Sequence, residues 1–190
     1  MSDRCPWCGT EDICVRYHDE EWGVPEYDSR ALWEKLVLDG FQAGLSWITI
    51  LKKRENFRAA FAGFHPGVIA EWGVAEVDQL LSDPGIIRHR GKIEATIGNA
   101  RAWHKIEARE GFDQFLWKYV QGKPLQNRFA RQSDVPAQTA LSRRISKDLK
   151  DEGFKFCGPT IVYAFMEAVG MVNDHLTTCH RHDEIAAMGR

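Results

Sequence analysis

Soft metal-binding side chains gather at two places far apart along the chain. Cys5, Cys8, Cys14 and His18 lie near its start, and His175, Cys179, His180 and His182 near its other end. The spacing His175-x-x-x-Cys179 puts a zinc-preferring imidazole and thiol one helical turn apart on one face. Two ligands from each end would clamp a tetrahedral ion, and four protein ligands would leave no position open for a reacting water. Such a site is structural. A second arrangement uses Cys5-x-x-Cys8 as a knuckle, completed by His175 and Cys179 or by His180 and His182. A third reading makes them unrelated core cysteines and surface histidines, and spacing alone leaves all three open.

A different chemistry is offered by Gly153-Phe154-Lys155-Phe156-Cys157-Gly158-Pro159-Thr160. One glycine ends a helix, a second permits close backbone approach, and proline suits the first turn of a new helix. Backbone N–H groups at that helix start form an anion site. The segment reads either as a helix-hairpin-helix element gripping a phosphate or as an ordinary corner between two helices. Basic clusters at Lys52-Lys53-Arg54, at Arg88-His89-Arg90-Gly91-Lys92 and around Arg143-Arg144 supply local positive charge or simply solvated helix faces. The net charge of −2 argues against a protein that coats nucleic acid non-specifically.

These residues need a scaffold, and its pattern is helical. A 44% hydrophobic and 11% aromatic composition is that of a folded protein, not a disordered one. Asp28-Ser29 cap a helix through Leu32 and Leu36, and another begins near Ser46 and carries Ile48, Leu51 and Phe57. Further helices are predicted over about 74–81, 89–108 and 112–120, then through Leu141 and Leu149, and through Ile161 and Val169. Gly122–Pro136 reads as a long loop, no run alternates convincingly enough for a strand, and the expected fold is all-α. Residues 1–182 form one domain, with room for two helical lobes around a cleft, and 183–190 are expected to be a frayed tail. No stretch is apolar enough to cross a membrane and nothing resembles a signal peptide, so the expected compartment is the cytoplasm, with reduced thiols.

Longer motifs carry more information. Tyr17-His18-Asp19-Glu20-Glu21-Trp22-Gly23-Val24-Pro25 is followed by Leu38-Asp39-Gly40-Phe41-Gln42-Ala43-Gly44-Leu45-Ser46-Trp47. Then come Gly85–Ile93, Asn99-Ala100-Arg101, the Gly153–Thr160 segment and Val172-Asn173-Asp174-His175. In this order they resemble the 3-methyladenine DNA glycosylase I family of helix-hairpin-helix glycosylases, over nearly the whole chain. The resemblance implies a zinc ion on Cys5, His18, His175 and Cys179, leaving Cys8, Cys14 and Cys157 outside it. It implies a base pocket at Asp39, Tyr17 and Trp47, walled by Trp7 and Trp22. Gln42, Gly44 and Leu45 fall where the family presses a wedge into the base stack, and Lys155, Gly158 and Thr160 fall in its DNA-gripping hairpin. Two pocket positions depart from the pattern: Asp39 stands where the family typically has glutamate, and Cys14 occupies a further pocket position where it often has tyrosine.

The implied reaction is excision of N3-methyladenine from alkylated double-stranded DNA by a monomer that associates with the nucleoid when on DNA. The base is rotated out of the stack, and its delocalised positive charge favours the faces of Trp47 and Tyr17. A cationic base leaves without a general acid. Related hairpin glycosylases keep an aspartate where Asn173 stands, and no lysine stands out as a Schiff-base nucleophile, so simple hydrolysis to an abasic site is expected. Two competing functions are a zinc-stapled module that binds damaged DNA without cutting it, and a zinc hydrolase with an open metal position.

Overall fold

The structure is a computed structural model and describes residues 3–189. Its helices are α1 (Asp12–Glu20), α2 (Ser29–Gln42), α3 (Trp47–Ala60), α4 (Pro66–Ile69), α5 (Val74–Ser82) and α6 (Arg90–Arg109). They continue with α7 (Phe112–Trp117), α8 (Ala140–Asp151), α9 (Pro159–Ala168) and α10 (Arg181–Met188). Local chemistry sets several boundaries. The Asp28 side chain accepts from the backbone N–H of Arg30 and Ala31 and so caps α2. Thr139 caps α8 in the same way through Ser142 N, and Pro159 occupies the first turn of α9.

Helix α2 is the central element. It packs against α3, α6, α7 and α9, and Leu32, Trp33, Leu36 and Phe41 project from it into the core. Phe57 of α3, Phe61 just past its end, Phe64, Phe112 and Phe165 are likewise fully buried there. Burial of each such side chain stabilises the fold by roughly 1.5–3 kcal/mol. A second, smaller cluster joins the two ends of the chain and contains Cys5, Cys14, Tyr17, Trp22, Leu176 and Cys179.

Among the described residues the fold is all-α except for one short ladder that the sequence gives no reason to expect. Strands β1 (Leu125–Gln126) and β2 (Val172–Asn173) pair in parallel, with Leu125 opposite Val172 and Gln126 opposite Asn173. This ladder, with a short 3-10 turn at Gln132–Asp134, pins the 122–136 connection to the segment that precedes His175.

The tail expected to fray instead forms α10. Ile185 is fully buried, His182 lies within hydrogen-bonding distance (3.1 Å) of the Asn127 carbonyl, and the His182 carbonyl accepts from Asn173 Nδ2 at 3.0 Å. Two inward residues in eight are too few to make a periodic pattern, yet enough to seat the helix. Among the described residues, no helix is long and apolar enough to cross a membrane.

Candidate functional site

The two ends of the chain meet at four buried side chains. The ligand atoms of Cys5, His18, His175 and Cys179 all lie within 4.8 Å of one another. Cys179 Sγ is 3.5 Å from His18 Nε2 and 3.5 Å from His175 Nδ1, and Cys5 Sγ is 3.7 Å from His175 Nδ1. Bonds of about 2.3 Å to sulfur and about 2.0–2.1 Å to nitrogen in a tetrahedron imply a sulfur–nitrogen edge of about 3.5 Å. The cluster therefore has the dimensions of a tetrahedral metal site.

The remaining ring nitrogens are engaged, as ligating imidazoles require. His18 Nδ1 is 2.8 Å from Asp19 Oδ1, and His175 Nε2 is 3.0 Å from the Trp22 carbonyl. Asp19 in turn accepts a two-pronged pair of hydrogen bonds from Arg4, which holds its carboxyl down to about 2. The Cys5 sulfur accepts from Leu176 N. A hydrogen bond from Cys5 pushes the Cys179 thiol down and that of Cys5 up. Cys8, Cys14, His180 and His182 stand outside the cluster; the Cys8 thiol donates to the Gly9 carbonyl, and His180 contacts the Asp3 carbonyl.

A cavity of about 230 Å³ opens beside this clasp. Trp7, Tyr17 and Trp22 line it from the N-terminal segment, Asp39 and Gln42 from α2, Trp47 from the start of α3, and Glu167 and Ala168 from α9. The aromatic wall leans on the cysteine–histidine cluster: the His18 ring stacks on Trp22, and Trp7 meets Trp22 edge-on at 4.9 Å. Five residues assigned to the pocket through the family resemblance are thus brought together. Cys14, the sixth, is buried in the neighbouring cluster but is not among the residues lining the cavity.

Three buried polar atoms on the lining residues have no hydrogen-bond partner: Trp7 Nε1, Trp47 Nε1 and Asp39 Oδ2. Leaving such atoms unpaired costs about 1–3 kcal/mol each, and a ligand with complementary polar edges offsets it. Burial pushes the Asp39 carboxyl up and Lys35 opposes that shift. Burial also pushes Tyr17 well above its ordinary value, so its phenol holds its proton.

Two further ionisable groups in the cavity were not singled out in the sequence. Lys35, one turn before Asp39, lines the cavity and donates to Asp39 Oδ1 at 2.7 Å. Glu167 is held well above its ordinary carboxyl range by burial, then by the charge of Asp174 and a hydrogen bond with it. Asp174 itself accepts from Tyr163 Oη at 2.7 Å and Asn127 Nδ2 at 2.6 Å. Asn173 is buried and structural: its side chain donates to Gln126 and to the His182 carbonyl and accepts from His175 N.

Beyond Gln42 the chain turns sharply into α3. Gly44 has φ +82°, a conformation that a residue with a Cβ rarely adopts, and Leu45 beside it is 41% exposed. Lys92 of α6 fixes this turn by donating to the carbonyls of Phe41 at 2.8 Å and Ala43 at 2.7 Å. It is buried and serves as a helix-end brace; Arg90 pairs with Asp78. The Lys52-Lys53-Arg54 cluster is similarly engaged within the protein, by Glu11, the Pro84 and Gly85 carbonyls, and Glu21.

Helices α8 and α9 pack on each other across the 152–158 loop. Lys155 and Thr160 are exposed there, and Gly158 is the first flanking residue of α9. The loop backs onto the end of α2, because a Cβ on Gly40 would stand 3.1 Å from the Phe156 carbonyl oxygen. The candidate wedge and the candidate hairpin thus share one support.

The chain matches the family model described as methyladenine glycosylase over residues 7–182. It is 50% identical over 178 residues to DNA-3-methyladenine glycosylase 1 of Escherichia coli (strain K12), covering 93% of this chain and 95% of that protein. A crystal structure of a 3-methyladenine DNA glycosylase I superposes with a TM-score of 0.93 at 51% identity, covering 95% of this chain and 100% of the other. A tyrosine-to-phenylalanine variant of a 3-methyladenine DNA glycosylase I, in complex with 3-methyladenine, superposes with a TM-score of 0.91 at 40% identity, covering 94% and 97%.

Proposed function

The chain belongs to the methyladenine glycosylase family, and on that premise we propose that it excises N3-methyladenine from alkylated double-stranded DNA by hydrolysing the bond between base and sugar. The observation that carries the reading is the aromatic cavity with its three unpartnered polar atoms. A flat, polar-edged purine suits such a pocket: tryptophan and tyrosine rings face its π-surface, and the indole N–H groups and Asp39 Oδ2 meet its edge. A base inside a duplex is out of reach, so the nucleotide must first swing out. Leu45, exposed on the turn held by Gly44 and Lys92, is the wedge that fills the gap, with Gln42 beside it.

In this reading the start of α9 at Gly158 and Thr160, with Lys155, holds a phosphate near the lesion, in a helix-hairpin-helix arrangement. Asp39 accepts from the amino edge of the base, and the rings of Tyr17 and Trp47 receive a delocalised cation, worth roughly 0.5–2 kcal/mol by desolvation-dependent attraction. The methylated base already carries positive charge and leaves without a proton donor. Water completes the hydrolysis and leaves an abasic site with both strands intact. The protein acts as a monomer in the cytoplasm, as one domain with the cavity between its lobes.

The metal reading is zinc, bound by Cys5, His18, His175 and Cys179. Two thiolates and two imidazoles suit that ion, the sulfur–nitrogen separations of 3.5–3.7 Å fit its tetrahedron, and four protein ligands close it to substrate. Zinc here supplies cross-linking and no chemistry.

Release of 3-methyladenine from alkylated duplex DNA, with Asp39→Asn alongside, tests the function. Release by the parent and a loss of about a hundredfold in the variant support it. Tight lesion binding by the parent without release identifies a damaged-DNA-binding module instead.

A further inference from the structure

Lys35 lies where the proposed substrate would bring its charge. Its ammonium is 3.7 Å from the Trp47 ring centre and 5.8 Å from that of Tyr17, while donating to Asp39 Oδ1. Only 17% of its side chain is exposed. Two consequences follow. The negative charge of Asp39 is already paired at close range, and one face of Trp47 already holds a cation, so the base that stacks on these rings meets a second positive charge beside it. Lys35 also lines a second cavity with Glu20, Glu21, Glu34, Arg54 and Arg58; burial pushes its ammonium below the usual lysine range, and the charge and hydrogen bond of Asp39 oppose that shift.

We propose that Lys35 is a specificity-determining residue that weakens the hold of the pocket on a cationic base and thereby favours cleavage. The inference rests on the reaction proposed above. Before cleavage the methylated base is positive. As the bond between sugar C1′ and base N9 breaks, its electron pair passes to N9. The base becomes neutral and the positive charge moves to the sugar. Water then attacks C1′ and gives its proton to solvent. A fixed ammonium beside the base repels the charged reactant and is indifferent to the neutral product. Its repulsion is relieved progressively as the bond breaks. Only an interaction that changes between ground state and transition state alters kcat, and this one does.

The test is steady-state kinetics of the parent, Lys35→Met and Lys35→Gln on alkylated duplex DNA, together with inhibition by free 3-methyladenine at a pH where that base is neutral. Methionine keeps the length of the side chain, and glutamine keeps a hydrogen bond to Asp39 without the charge, so either variant suffices if the other does not fold. Both variants should show KM and kcat lowered together by about tenfold, with inhibition by the neutral base unchanged within about twofold. Unchanged kinetics, or a raised KM with lost turnover, overturns the proposal and leaves Lys35 as a prop for Asp39. Absence of release by the parent overturns the base-excision reading itself, which the parent control separates from a failure confined to Lys35.

Discussion

Asn99 grips the backbone of Lys155 from both sides. Its Oδ1 accepts from Lys155 N at 2.8 Å and its Nδ2 donates to Lys155 O at 3.1 Å. One side chain of α6 thereby holds the 152–158 loop against the body of the protein, with Ser146 Oγ donating to the Cys157 carbonyl further along. Asn99→Ala leaves two backbone groups without these partners. It should lower stability by about 1–3 kcal/mol and weaken DNA binding about tenfold. Denaturant melts and fluorescence anisotropy with a short duplex check both. Unchanged DNA affinity would dissociate the loop from phosphate contact.

With a metal in the cysteine–histidine clasp as proposed, its removal should unfold one end of the molecule and silence the rest. Cys179→Ser, or prolonged chelation in mild denaturant, should cost several kcal/mol of stability and abolish base release in parallel. Activity that disappeared while the melting curve stayed put would indicate an ion with an open position and a direct chemical role.

Glu167 makes a pH prediction. Its carboxyl in the folded protein is held well above the ordinary value of 4.5, first by burial, then by Asp174. The unfolded chain therefore releases this proton at lower pH than the folded one. With more protons bound in the folded state, stability falls as pH rises from about 4.5 towards the folded value. Glu167→Gln removes that contribution. Its stability relative to the parent should increase across the same window, measured by thermal melts at a series of pH values. A difference independent of pH would show that Glu167 does not carry the proton.

Leu45→Ala trims the exposed apolar tip and leaves the Gly44 turn and its Lys92 brace intact. Stability should change by less than about 0.5 kcal/mol, as for an exposed site, while release of 3-methyladenine from duplex DNA falls at least tenfold. Release from single strands, where no stack needs to be filled, should be nearly unaffected. Equal losses on both substrates would remove Leu45 from the opening of the duplex.

The sequence shows best what depends on local chemistry. Asp28 caps α2 as its type and position predict, and Gly158-Pro159 begin α9. The four candidate metal ligands and five candidate pocket residues are legible only through the family resemblance, because only the fold brings residues so distant in the chain together. The missed features share one cause. Lys35, Lys92 and Glu167 each look like solvated residues on amphipathic helices. Each is buried to some degree by elements elsewhere in the chain: Trp47 and Tyr17 for Lys35, the end of α2 for Lys92, and Asp174 with Tyr163 for Glu167. Helix α10 escaped notice because its docking rests chiefly on Ile185 and His182 rather than on an apolar stripe.

The clasp between the chain ends also has a bearing on synthesis. Cys5 and His175 stand 170 positions apart, so the earliest ligands to leave the ribosome wait for nearly the last. Trp22 and Trp7, which wall the candidate base cavity, lean on that clasp through His175 and His18. A chain that stops before Cys179 lacks the fourth ligand and has no finished support for this wall. The wall of the cavity therefore depends on contacts that only a chain continued as far as Cys179 can make.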